Sequence, residues 1–305
     1  MGDTVVLVPY DEGIPVLRAV PGVVPVRYDP DGPLPEEAAS AEVLVAPFAA
    51  SPQVVRLVER LPAVRLVQLL TAGAESWVGR LPEHVALSDC RGAHGGATAE
   101  WIVAVLLAVY RELPGFVRDQ DARRWDEHST DELAGKRVLL VGAGDLAENA
   151  ARRLAPFEVT TTRVGRRARP GVHAIEDVHD LLPDHDATVL VVPLTDDTRG
   201  LADARFLAAM PDGAVLVNAA RGPVVDTDAL VRELRSGRLR AALDVTDPEP
   251  LPPDHPLWSA PGQLVTPHVG GSVPSGTRRA SAVVAEQLAA FARGDDPPNL
   301  VVDGY

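Results

Sequence analysis

Short runs rich in Val and Leu recur along the 305 residues, and they are apolar throughout rather than alternating with polar positions. They are Thr4–Val8, Val43–Ala46, Val64–Leu70, Arg137–Val141, Glu158–Arg163, Thr188–Val192, Ala214–Asn218, Arg240–Val245 and Gln263–Thr266. A strand that reads this way is covered on both faces, the condition of a parallel sheet. Helical stretches lie between the runs, among them Leu146–Leu154, Ala204–Met210 and Asp226–Arg235, the last with Asp226 or Thr227 as its N-cap. This alternation predicts a doubly wound α/β architecture. At roughly 100–200 residues per domain, the length predicts two domains.

Two longer helices break the rhythm. Thr98–Leu113 is apolar on nearly every face and is expected to be buried between lobes or subunits, while Pro274–Arg293 is Ala-rich and amphipathic. With the glycine clusters in Arg91–Gly96 and Val269–Ser272, they read as two crossings between lobes, the glycines serving as hinges. Residues 21–35 are Pro-rich and read as loop.

Lys+Arg 29 against Asp+Glu 43 leaves a net charge of −14, and Lys136 is the single lysine, so 28 of the cations are arginines. Schiff-base enzymes, P-loop NTPases and polybasic nucleic-acid binders need lysines or basic runs that are missing here. Net negative charge also repels phosphate backbones and anionic membranes. One cysteine, Cys90, cannot form an intrachain disulfide, and there is no apolar run of about 18 residues or secretory leader. The expectation is a cytoplasmic protein without nucleic-acid or membrane partners. The histidines outside position 268 show no zinc-like pairing with Cys or carboxylates, which predicts no metal.

Lys136-Arg-Val-Leu-Leu-Val-Gly142-Ala-Gly144-Asp145-Leu146-Ala147 is a strand entering a glycine turn and then a helix. In that context Gly142 allows the tight turn, Gly144 lets backbone N–H groups approach a pyrophosphate, and Ala147 packs helix on strand. The next strand of such a unit usually ends in an Asp or Glu that accepts from the ribose 2′-OH of NAD. Here Gly165 stands in that place, followed by Arg166, Arg167 and Arg169 and preceded by Arg163. Guanidinium groups suit a 2′-phosphate, so NADP(H) is expected over NAD(H), with NAD(H) possible. Asp145 and Glu148 add carboxylates at the helix start, where they complement the dipole but repel phosphates.

Three later segments carry a more specific pattern: Val217-Asn-Ala219-Ala220-Arg221-Gly222-Pro-Val-Val-Asp226, Ala242-Leu-Asp244-Val-Thr-Asp-Pro-Glu249-Pro250, and Thr266-Pro-His268-Val-Gly-Gly271. In this order and spacing the chain resembles the D-isomer-specific 2-hydroxyacid dehydrogenases. Val192-Pro193-Leu194-Thr-Asp-Asp-Thr198-Arg-Gly200 and Ala99-Glu100 extend the resemblance over nearly the whole chain. It implies two Rossmann-like doubly wound parallel-sheet domains. A cofactor domain (95–272) would be inserted into a discontinuous, flavodoxin-like substrate domain (1–94 plus 273–305), usually with dimerisation through the cofactor domain.

Matched position by position, the resemblance implies Arg221 as the substrate-binding arginine, His268 as the acid/base and Glu249 as its carboxylate partner. It implies cofactor contacts at Gly142, Gly144, Asp145, Leu146, Gly165, Arg166, Arg167, Arg169, Val192, Pro193, Leu194, Thr198, Ala219, Ala220 and Asp244, the last facing the nicotinamide amide. Backbone amides of Ala72, Gly73 and Ala74 match the loop that grips a substrate carboxylate. The chemistry suits these types: a permanently charged arginine pairs with a 2-keto acid, and a histidine braced by a carboxylate protonates the developing alkoxide.

Gln68-Leu-Leu-Thr-Ala-Gly-Ala-Glu-Ser-Trp77 and the arginine loop look most like the glyoxylate/hydroxypyruvate reductases. A 3-phosphoglycerate dehydrogenase fits less well, because no basic pair flanks the loop for a second anion. Another D-2-hydroxyacid dehydrogenase using NAD, and a nicotinamide-sensing corepressor of the same fold, are the remaining alternatives.

Overall fold

The structure is a computed structural model that describes residues 3–48 and 52–302. The chain divides into two compact units, Met1–His94 with Val273–Tyr305, and Gly95–Ser272.

The first unit is built on five parallel strands, β1 (Thr4–Val8), β2 (Val23–Arg27), β3 (Val43–Val45), β4 (Leu66–Gln68) and β5 (Ala86–Ser88), in the order β2-β1-β3-β4-β5. Successive residues feed opposite cores. Leu7, Leu44 and Val67 enter one apolar cluster, whereas Val6, Val43 and Leu66 enter the other. That is why these runs lack polar alternation. Strand β2 falls in the Pro-rich segment expected to be loop. It forms because it lies at the sheet edge, where the N–H that Pro25 lacks need not bond a further strand. Helices α1 (Gly13–Arg18) and α2 (Pro52–Leu57) follow β1 and β3, and the C-terminal helix of this unit packs on α1 and β2.

The second unit opens with α3 (Gly95–Tyr110). Glu112 then takes a left-handed conformation (φ 52°) and starts α4 (Leu113–Asp121), so the long helix ends three residues before the expected Leu113. Its buried residues, among them Ile102, Leu106 and Tyr110, pack on a helix and two strands that follow in the same unit, whereas the sequence predicts burial between lobes or subunits. The parallel sheet of this unit consists of β6 (Arg137–Val141), β7 (Thr160–Gly165), β8 (His173–Ala174), β9 (Ala187–Leu190), β10 (Val215–Asn218), β11 (Arg240–Leu243) and β12 (Gln263–Val265). Helices α5 (Asp145–Leu154), α6 (Val178–Leu181), α7 (Ala204–Ala209) and α8 (Thr227–Arg235) join successive strands, and α9 (Gly276–Arg293) completes the first unit. Asp226 caps α8 by accepting from the Ala229 N–H at 2.9 Å.

Strand order in this sheet is β12-β11-β10-β9-β6-β7-β8. The chain runs outward one way from β6 and the other way from β9, so the topological switch point lies between these two, at their carboxyl ends. Ligands of open α/β sheets bind in that crevice.

Gly95 and Gly96 are not free hinges. They form the first turn of α3, where a Cβ on Gly95 would collide with the Asp145 carboxylate and one on Gly96 would stand 3.1 Å from Arg153 Nη2. Small residues are required because α3 and α5 cross closely there. The lone lysine is likewise engaged: Lys136 pairs with Asp131 at 2.9 Å and lies over the Tyr110 ring. Cys90 is fully buried, and burial pushes its thiol up to about 12, which leaves it unreactive. Among the described residues, no helix is long and apolar enough to cross a membrane.

Candidate active site

The glycine turn follows β6 directly at the switch point. Gly142 has φ 130°, and a Cβ there would stand 2.6 Å from the Val191 carbonyl oxygen, so only glycine lets the turn close against the end of β9. Gly144 differs: nothing lies within 4 Å of a Cβ built on it. It is also the N-cap of α5, with no side chain capping the helix. An open position before an uncapped helix N-terminus fits the pyrophosphate of a dinucleotide. Ala147 is buried and fills the helix–strand contact.

The two carboxylates at this helix start differ: Asp145 is partly buried, whereas Glu148 is exposed. Asp145 turns toward Gly95 and is held by Asn149, whose Nδ2 donates to Asp145 Oδ1 at 2.9 Å. Glu148 leans toward β7 and stands 3.9 Å from Arg163. Leu146 packs partly buried against the core. Gly165 ends β7, and Arg166, Arg167 and Arg169 follow on the surface, with Arg169 donating to the Ala143 carbonyl at 2.6 Å.

Across the switch point, Val192 and Leu194 pack partly buried on the core after β9, with Pro193 exposed between them. The Thr198 hydroxyl is spent inside this loop, donating to the Pro193 carbonyl at 2.6 Å and accepting from the Thr195 N–H. Its side chain braces the loop.

The three residues expected to act on substrate follow three adjacent strands. Arg221 comes after β10, Glu249 after β11 and His268 after β12. His268 Nδ1 and Glu249 Oε1 are 2.6 Å apart, and both side chains remain close to half exposed. With Nδ1 against the carboxylate, Nε2 is the ring nitrogen left to meet a ligand. Arg221 is partly buried and donates from Nη1 to the Ala220 carbonyl at 2.7 Å. Gly222 packs on the segment leading to Glu249: a Cβ there would collide with the Thr246 carbonyl and stand 2.7 Å from the Asp247 nitrogen.

Asp244, expected to face the nicotinamide amide, is tied into the histidine loop. Its buried carboxylate is turned under the histidine loop, accepting from Thr266 Oγ1 at 2.6 Å, Val269 N at 2.9 Å and Gly270 N at 2.8 Å. The His268 N–H donates to the Asp244 carbonyl at 2.7 Å, and His268 sits at φ 54°. Asp244 therefore shapes the loop that displays the imidazole. Asn218 is a residue the sequence reading missed. Its Nδ2 donates to the Arg221 carbonyl and its Oδ1 accepts from the Ala220 N–H, both at 3.0 Å, which fixes the turn carrying Arg221. A polar residue closing the apolar run Val215–Asn218 was the available signal. Ala219 is partly buried and Ala220 buried, so Ala220 can meet a ligand only through its backbone.

The loop Thr71–Ala74 belongs to the first unit, at the end of β4. Thr71 Oγ1 donates to the Gly73 carbonyl at 2.9 Å, Ala72 is exposed, Gly73 is partly buried, and the Ala74 methyl is fully buried in the core. Among the described residues, no group of three His, Cys, Asp or Glu side chains gathers as a metal site.

The family model described as D-isomer specific 2-hydroxyacid dehydrogenase, NAD binding domain, matches residues 103–270. A glyoxylate reductase of Thermofilum pendens is 35% identical over 218 residues, spanning 67% of this chain and 64% of that protein. A glyoxylate reductase/hydroxypyruvate reductase of Mus musculus is 33% identical over 258 residues, 77% of this chain and 76% of that protein. The solved D-isomer specific 2-hydroxyacid dehydrogenase of Xanthobacter autotrophicus Py2, in complex with NADPH and MES, superposes with a TM-score of 0.85 at 30% identity. That match covers 99% of this chain and 100% of the other. The fold and these matches define an NAD(P)-dependent oxidoreductase. Within that class the chain belongs to the D-isomer-specific 2-hydroxyacid dehydrogenase family.

Proposed function

We propose that the protein reduces a small 2-keto acid of the glyoxylate or hydroxypyruvate type to the D-2-hydroxy acid, with NADPH as the preferred cofactor. The observation that carries this reading is the 2.6 Å contact between His268 Nδ1 and Glu249 Oε1 on adjacent strand ends. A bound nicotinamide cofactor supplies the hydride. Arg221 pairs with the substrate carboxylate and draws electron density from the carbonyl, and His268 delivers a proton from Nε2 to the carbonyl oxygen as it becomes an alkoxide. The acid is the doubly protonated ring: Glu249 accepts from Nδ1–H and orients it, and giving up the Nε2 proton leaves the neutral imidazole with its remaining proton on Nδ1. The unit Gly95–Ser272 acts as the cofactor domain, and the backbone amides of Ala72, Gly73 and Ala74 are candidate donors to a carboxylate.

NADPH is favoured by the absence of a carboxylate at Gly165 and by the exposed Arg166 and Arg167 beside it. The Thermofilum and Mus musculus relatives are glyoxylate reductases by name, and the Xanthobacter structure holds NADPH. The decisive measurement follows absorbance at 340 nm with glyoxylate, hydroxypyruvate, pyruvate and bulkier 2-keto acids, each with NADPH and NADH. Expected is turnover of the two small acids with kcat/KM at least roughly tenfold higher for NADPH, about 1.4 kcal/mol of discrimination. A preference for NADH overturns the cofactor assignment. Cofactor binding without turnover of any acid makes the protein a nicotinamide-binding sensor instead.

A second copy of the chain is the proposed partner, docking through the cofactor unit. Leu113 and Val117 on α4 are half or more exposed, and Trp125 just beyond is 93% exposed. An indole that open to water is unusual outside an interface. Light scattering should return twice the chain mass, and a monomer at micromolar concentration counts against the pairing.

A further inference from the structure

Four arginines surround the end of β7, and the structure gives them different tasks. Arg163 lies 3.9 Å from Glu148, with its Nη2 3.3 Å from where a Cβ on Gly171 would be, so it sits against the turn 169–172. Arg169 is fixed at the base of that turn by two backbone bonds with Val172, at 3.0 and 2.8 Å, closed by Gly171 at φ 74°. From this anchored position its guanidinium reaches back across Gly165, and Nη2 donates to the Ala143 carbonyl at 2.6 Å.

Ala143 is the middle residue of the glycine turn. It lies between Gly142 and Gly144, the two positions where the backbone is least restrained by side chains. A trans peptide is planar with its C=O and N–H pointing in opposite directions. Holding the Ala143 oxygen therefore aims the N–H of Gly144, which belongs to the same peptide unit, the other way. That is the position where no protein atom lies within 4 Å of a built Cβ.

We propose that Arg169 is a positioning residue that straps the glycine turn from behind and presets the Gly144 amide for the cofactor pyrophosphate. The 2′-phosphate is then left to Arg166 and Arg167. Gly165 is part of the same device. A Cβ there would stand 3.2 Å from Ala143 Cβ, 3.1 Å from Val172 Cγ1 and 3.5 Å from Arg169 Nη1. An Asp or Glu at 165 would lie in the path of the guanidinium and draw it off the Ala143 carbonyl. The inference rests on the cofactor site proposed above and changes which arginine does what within it.

A strap on the pyrophosphate turn and a ligand of the 2′-phosphate predict different selectivity. Dissociation constants of NADPH and NADH, measured by titration calorimetry, and the melting temperature without cofactor separate them. Arg169→Ala should raise both Kd values by the same factor, roughly five- to tenfold for one charge-assisted hydrogen bond. Arg169→Lys, which keeps a donor, should recover most of that loss, and the cofactor-free melting temperature should move by less than about 2 °C. Loss confined to NADPH overturns the proposal and makes Arg169 a 2′-phosphate ligand. Unchanged Kd values, or a melting temperature lowered by many degrees, also overturn it. The Arg166→Ala/Arg167→Ala double variant should weaken NADPH alone. If it leaves the NADPH to NADH ratio unchanged, the NADPH assignment fails, whereas the strap is judged on the Arg169 variants.

Discussion

Replacing His268 with alanine is expected to lower kcat by roughly 10²- to 10⁴-fold, the range typical of losing a general acid, and to leave the NADPH Kd within about twofold of the unaltered protein. The separation of the two effects follows from how the loop is held. Thr266, Val269 and Gly270 all donate to the Asp244 carboxylate, and the His268 amide donates to the Asp244 carbonyl. None of these bonds uses the imidazole. Removing the ring should delete a proton donor and spare the loop, even with position 268 in the left-handed region, which costs a non-glycine residue energy unless its neighbours hold it there. Glu249→Gln should cost less than His268→Ala, because Glu249 acts through Nδ1 and an amide oxygen can still accept from it. The check is steady-state kinetics with glyoxylate and NADPH beside a direct cofactor titration. A His268→Ala protein retaining more than a tenth of kcat would falsify the acid role.

The sheet strands were readable because their apolar runs are continuous, and β1 and β6 begin and end where the sequence places them. Other elements were hidden for identifiable reasons. Pro25 disguised β2 as loop, since proline argues against a strand unless its place at the sheet edge is known. The run from Glu158 begins as strand only at Thr160, because Glu158 itself turns left-handed at φ 60° to end the preceding short helix. The family resemblance singled out Arg221, Glu249 and His268 as candidates, whereas the residues that support them were invisible. Nothing in a string of letters shows that Asp244 spends its carboxylate on three donors, or that Thr198 closes its own loop. Charge counting has the same limit: it places four cations near β7 and is silent on two of them being engaged by Glu148 and Ala143.

Gly222→Ala should be the most damaging single methyl group in the molecule, and Gly144→Ala its instructive opposite. At 222 the added carbon meets the Thr246 carbonyl and the Asp247 nitrogen, which are backbone atoms with no rotamer to escape into. The turn bearing Arg221 and the segment leading to Glu249 must then move apart. Overpacking of this kind costs about 1–3 kcal/mol or more, and a shift of about 1 Å between groups that act together is worth about 10² in rate. Gly222→Ala should therefore lower both the melting temperature and kcat/KM, the latter by about 100-fold. At 144 the methyl meets no protein atom, and φ is −96°, which any residue adopts. Gly144→Ala should melt like the unaltered protein and lose cofactor affinity, because the methyl occupies the space proposed for the pyrophosphate. Thermal melting without cofactor, paired with NADPH titration, distinguishes the two glycines: one is small so that the protein can touch itself, the other so that a ligand can touch the protein. A Gly144→Ala variant that binds NADPH normally would move the pyrophosphate elsewhere.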